Sequence, residues 1–152
     1  MLVNSLWGIK MSEKLTAELL NELLFTSSLE SFLNENDDIE QLTIAQYLNY
    51  LISKKKFKKS DIIKKSGLNP TFAYQIFSGD RQASRNKLLQ LVFAMRLTLH
   101  EAQQLLKSAG INELYCKDRR DAIIIYCILH QMNLESADNT LFQFGEATIC
   151  DP

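Results

Sequence analysis

Few residues in this 152-residue chain have types and spacings that could do covalent chemistry. Cys116, Cys127 and Cys150 are odd in number, widely spaced and free of any C-x-x-C, which fits unpaired thiols in a reducing cytosol. Cys127 lies in an apolar run and is expected as a small core residue. His100 and His130 have no ligand-spaced partner, so no metal site is expected. No glycine-rich phosphate cradle and no Ser/His/Asp or Cys/His set is visible, so neither an enzyme nor a cofactor is expected. What remains is recognition by hydrogen bonding and charge. The stretch "SGLNPTFAYQIFSGDR", residues 66–81, gathers such groups into one short helix. At about 100° per residue, Phe72, Ala73, Ile76 and Phe77 fall on one arc, and Pro70, Thr71, Tyr74 and Gln75 on the other. The first arc can only pack. The second can donate and accept hydrogen bonds and has a slim profile near its start.

Charge singles out the same region. The net charge is −1, but residues 1–53 sum to −6 (two basic, eight acidic), residues 54–87 to +8 (ten basic, two acidic) and residues 88–152 to −3 (five basic, eight acidic). A basic segment between two acidic ones is the footprint expected of a polyanion-binding surface; a solvated lysine face is the plainer alternative. The strongly apolar run "AIIIYCIL" (122–129) is too short to cross a bilayer, and the N-terminus shows no signal-peptide pattern. A cytoplasmic protein without a membrane partner is expected. Met11 in "MSEK" looks like a more natural start than Met1.

The elements that would position these residues are helices. Prolines and glycines are rare, and apolar residues recur at helical spacing. Leu15, Leu19, Leu20, Leu23 and Leu24, then Leu29, Phe32 and Leu33, predict one or two amphipathic helices over 12–34, with Ser12 and Ser27 or Ser28 as caps. A helix over 43–55 follows, capped by Thr43, with Ile44, Tyr47, Leu48, Leu51 and Ile52 inward. After the basic turn "KKKFKKS", Ser60 is expected to cap a short helix over 61–66, ended by Gly67 in a left-handed conformation. Asn69 caps the next helix and Pro70 takes its first position. A helix, a three-residue turn and a second capped helix make the helix-turn-helix plan.

These residues resemble the lambda-repressor-like, or XRE-type, helix-turn-helix family of bacteria and phages. The resemblance covers about 44–96: "YLNYLISKK" for the leading helix, "KSDIIKKSG" for the scaffold helix, "LNPTFAYQIFSG" for the turn and recognition helix, and "DRQASRNKLLQLVFAM" for the basic loop and next helix. It implies that Pro70, Thr71, Tyr74 and Gln75 face base edges in the major groove, Gln75 pairing with adenine through its carboxamide. It implies phosphate contacts for Lys59, Asn69, Arg81, Arg85 and Lys87. Ile63 and Phe77 depart from the family pattern, which has a small residue and a glutamate there. The recognition helix carries no Arg or Lys, so phosphate contacts would supply most of the affinity. The resemblance further implies double-stranded DNA as partner and a homodimer, whose two recognition helices reach half-sites ~34 Å apart.

The C-terminal part contains a repeat. "LTLHEAQQLLKSAG" (97–110) aligns with "MNLESADNTLFQFG" (132–145): Leu99 with Leu134, Ala102 with Ala137, Leu106 with Leu141 and Gly110 with Gly145. Upstream, Arg85 aligns with Arg120. Two successive helical hairpins are expected, with the "AIIIYCIL" helix buried on most sides, either at the centre of the C-terminal part or at a dimer seam. "CKDRRD" (116–121) reads as a solvated loop and helix start. The expected organisation is all-α: an N-terminal extension with helices (1–42), a helix-turn-helix domain (43–96) and C-terminal hairpins (97–152) packed on it, which offer a surface for dimerisation or a protein partner. The expected function is that of a sequence-specific DNA-binding transcriptional regulator. The alternative is a protein-interaction module (antitoxin, antirepressor or signalling adaptor) that keeps the scaffold without reading DNA.

Overall fold

The computed structural model describes residues 16–35 and 42–150, and every regular element among them is an α-helix. The expectations for Ser12, Leu15, the start at Met11 and most of the "NENDD" break lie outside the described residues. The chain separates into two units, residues 1–42 and 43–152. In the first, α1 (Thr16–Phe25) and α2 (Leu29–Glu35) are joined by a short turn in which Ser28 Oγ accepts from the Ser31 N–H at 3.2 Å.

The second unit holds α3 (Ile44–Lys54), α4 (Lys59–Ser66), α5 (Pro70–Ser78), α6 (Arg85–Ala94), α7 (Leu99–Ser108), α8 (Arg119–Leu129) and α9 (Leu134–Gln143). Local chemistry sets most of these boundaries. Thr43 and Gln46 form a reciprocal capping box at the start of α3, and Thr98 and Glu101 do the same for α7. Asn69, Ser84, Asp118 and Asn133 each accept a backbone N–H at the start of α5, α6, α8 and α9. Helix α4 differs from expectation. It begins at Lys59 after Lys58, without a side-chain cap, so Ser60 lies inside the first turn.

The repeat extends further than its sequence shows. Helices α7 and α9 start 35 residues apart and are both ten residues long. The hydrogen bonds that fold the following segment back repeat at the same interval. Leu114 N–H donates to Gln103 Oε1 at 2.8 Å, and Ile149 N–H to Asp138 Oδ1 at 2.6 Å. Arg85 Nη2 donates to the Glu113 carbonyl at 3.2 Å, and Arg120 Nη2 to the Thr148 carbonyl at 3.2 Å. The α3–α4 pair is a third copy of the hairpin turn. Lys56, Arg96 and Gln131 all have positive φ (57°, 50° and 53°). The next residue, Phe57, Leu97 or Met132, returns its N–H to Ile52, Val92 or Cys127 at 3.0 Å. This is the Schellman closure, with an apolar residue tucked behind the left-handed position.

Candidate nucleic-acid interface

The α4–α5 pair is closed by Gly67, at φ 72°. A Cβ there would meet only Gln90 Nε2 at 3.8 Å, so glycine is needed for the backbone conformation and not for space. Ser66, fully buried, donates its hydroxyl to the Ile63 carbonyl at 2.6 Å and accepts the Leu68 N–H at 3.2 Å. Gln90 of α6 reaches back to the Ser66 carbonyl at 2.9 Å, and Asn49 of α3 donates to the Phe77 carbonyl at 2.8 Å. The C-termini of α4 and α5 are therefore each held by a carboxamide from a neighbouring helix. Burial of Ala73, Ile76 and Phe77 fixes the roll of α5, each large side chain contributing roughly 1.5–3 kcal/mol.

That roll leaves the other arc open. Pro70 and Thr71 are exposed, Tyr74 is 46% exposed and Gln75 is half-buried. The four stand along one side of α5, beginning at its capped end. Asn69 Oδ1 accepts the Phe72 N–H at 3.1 Å, which leaves its Nδ2 to donate elsewhere. Phe72 is half-buried and serves as a platform. The Arg81 guanidinium lies 5.6 Å from its ring centre and the Lys87 ammonium 5.3 Å. Lys59, at the first position of α4, lies 5.1 Å over Phe77. Lys54, Lys56, Lys58, Lys64, Lys65 and Arg81 are exposed around this pair of helices.

Two of the basic residues have structural work instead. Arg85 makes a two-pronged ion pair with Asp121, both bonds 2.7 Å, and a bond to the Glu113 carbonyl. The structure therefore places it between α6 and α8, with its guanidinium engaged inside the chain. Lys55 pairs with Glu101 at 2.8 Å. Burial alone would raise the Asp121 carboxyl. The Arg85 guanidinium, the Tyr115 N–H and the nearby Arg120 outweigh it and hold the group below its usual range. Glu101 is likewise lowered: against burial stand the Lys55 ammonium, the Thr98 N–H and Lys54. The segment 116–121 is thus only partly a solvated loop, because Asp121 is buried and Arg120 also bonds Asn86 and the Ala147 carbonyl.

Sequence reasoning missed polar residues that set the geometry: the half-buried Asn49 and the buried Ser66, Gln90 and Asp121. A signal existed for Gln90, a carboxamide at the centre of the apolar run "LLQLVFAM". For Arg85 the signal lay in its alignment with Arg120. No protein family, curated protein or solved structure matches the chain. Among the described residues, no helix is long and apolar enough to cross a membrane.

Proposed function

We propose that residues 43–96 form a lambda-repressor-like helix-turn-helix domain and that the chain is a sequence-specific DNA-binding transcriptional regulator of a bacterium or phage, acting in the cytoplasm without catalysis. One observation carries this reading. The side of α5 that holds Pro70, Thr71, Tyr74 and Gln75 is open to solvent at the capped end of the helix, and cations flank it. An α-helix fits the major groove, where Gln75 can pair with adenine and Thr71 can bond a base edge or touch a thymine methyl. Lys59, Arg81, Lys87 and the Asn69 amide would donate to phosphates. Arg85 acts behind them, by fixing the start of α6 against Asp121.

The test is binding to a random duplex pool followed by anisotropy titration at several salt concentrations. Affinity should fall steeply with salt. Arg81→Ala should weaken binding to all sequences alike and flatten the log–log salt slope by about one unit. Gln75→Ala should keep the slope and lose preference at one or two base pairs. An unchanged ratio of target to random binding in Gln75→Ala removes its base-reading role. No retardation of any duplex at low salt, together with a co-purifying protein, would move the assignment to the interaction-module alternative.

A further inference from the structure

We infer that the proposed nucleic-acid interface continues beyond the helix-turn-helix, onto a further phosphate-binding patch formed by Lys117 and Arg119 at the start of α8. The inference rests on the DNA reading above and extends it outside residues 44–96, over which the family resemblance runs. The segment "CKDRRD" (116–121) holds three basic and two acidic residues, and the structure divides them. Arg120 and Asp121 are engaged inside the chain. Arg120 donates to Asn86 Oδ1 at 3.0 Å and to the Ala147 carbonyl at 2.8 Å, and Asp121 accepts both prongs of Arg85 at 2.7 Å. Asp118 turns its carboxylate onto the Asp121 N–H at 2.9 Å and so caps α8. Glu113, in the preceding loop, pairs with Lys107 at 3.0 Å. Lys117 and Arg119 are left exposed, with no hydrogen bond or ion pair among the described residues.

Their position gives these charges an occupant. Arg85 and Asn86 open α6, and Arg120 and Asp121 follow Arg119 in the first turn of α8, so the bonds between them hold the two first turns together. The next residue of α6 is Lys87, whose ammonium lies 5.3 Å from the ring of Phe72 in the first turn of α5. The first turns of α5, α6 and α8 thus form one connected edge, which carries the positive ends of three helix dipoles. The edge is fixed by backbone bonds as well. Asp121 accepts the Tyr115 N–H at 3.0 Å, and the Asp118 N–H donates to the Tyr115 carbonyl at 3.0 Å. These bonds close the turn that carries Lys117 and hold it against the start of α6. A duplex on the open arc of α5 runs on past it, with one phosphate per ~3.4 Å of axis on each strand. The strand that passes Arg81 and Lys87 meets Lys117 and Arg119 next. Charge complementarity and continuity with the proposed interface therefore assign this patch to the same polyanion.

Anisotropy titration of the full chain on a mixed-sequence duplex of ~30 base pairs, about three helical turns, at several salt concentrations tests this. Lys117→Ala combined with Arg119→Ala should flatten the log–log salt slope by about 1.8 units, ~0.9 for each phosphate lost. Both side chains are exposed, so urea midpoints should match wild type. Lys117→Glu, in the turn outside any helix, should weaken binding by itself. The control is Arg96→Gln, which removes an exposed cation just past the other end of α6 and should leave the slope unchanged. A wild-type slope in the double variant, while Arg81→Ala still flattens it, overturns the patch and leaves the helix-turn-helix reading standing. An equal loss per charge in Arg96→Gln also overturns it, because net charge and not place would then be the cause. A wild-type chain that binds no duplex at low salt removes the DNA reading itself, and the patch with it.

Discussion

Helices α5 and α8 solve the same inner problem and present opposite outer surfaces. Each buries one arc: Ala73, Ile76 and Phe77 in α5; Ile124, Cys127 and Ile128 in α8. Each places one tyrosine, about half exposed, at the middle of the other arc: Tyr74 and Tyr126. The neighbours of that tyrosine differ. Tyr74 stands with Thr71 and Gln75 beside the Arg81 and Lys87 cations; Tyr126 stands with Ile123 and Leu129. Burial therefore leaves the outer face of a helix free to specify a partner. A wet, polyanionic surface suits α5, and a dry, apolar one suits α8. The difference also sorts the basic residues, because Arg81 and Lys87 flank the open arc of α5 while Arg85 and Arg120 tie the hairpins together.

The sharpest way to break that sorting is to compare Arg81 with Arg85, four residues apart. Arg85→Ala leaves Asp121 nearly buried without its partner, and removing one member of such a pair costs about 3 kcal/mol. Urea unfolding should show that loss. Arg81→Ala should stay within about 0.5 kcal/mol of wild type, because the side chain is exposed and its one aromatic contact is at the surface. If Arg85→Ala kept full stability but lost DNA affinity, Arg85 would belong to the outward set and the sorting would fail.

Acid should act on the inner set first. Asp121 and Glu101 are both held below their usual range in the folded chain. A carboxyl lowered on folding contributes its stability in full above its unfolded value, about 3.9 for Asp and 4.3 for Glu. The contribution is lost as pH falls from there through the lower folded value. Urea midpoints should therefore stay level from neutral pH down to about 4.5 and drop below it. Asp121→Asn should be less stable than wild type at neutral pH and show a shallower acid limb. An acid limb unchanged in Asp121→Asn would remove the Asp121–Arg85 pair as its source.

How much of this was legible in the sequence follows from where each signal lies. Periodicity and caps are local, so all-helical architecture, the Thr43 and Asn69 caps, the Gly67 terminus and the two arcs of α5 were readable. The cap of α4 was not, because Ser60 looks like a cap and only the backbone shows that the helix has already begun at Lys59. Arg85 exposes a second limit. Its type and place in a basic segment suit a phosphate, while its partner Asp121 is 36 residues away and announced only by the repeat. The "AIIIYCIL" run was expected to be enclosed on most sides. Composition cannot show which arc of α8 is covered, and Tyr126 and Leu129 lie on the exposed one.

The smallest expected effect separates two roles that meet in one residue. Asn69 caps α5 through its Oδ1, and its Nδ2 is the proposed phosphate donor. Asn69→Ala removes both and should cost about 1 kcal/mol of stability as well as affinity. Asn69→Asp keeps the accepting oxygen, so stability should hold within about 0.5 kcal/mol, since Asn and Asp are comparable caps. It also replaces the donor with a negative charge where a phosphate would lie, so DNA affinity should fall. Urea unfolding and anisotropy on the same two variants give both readouts. If Asn69→Asp bound DNA as tightly as wild type, the cap would be the residue's whole role, and the proposed phosphate contacts of residues 43–96 would reduce to Lys59, Arg81 and Lys87.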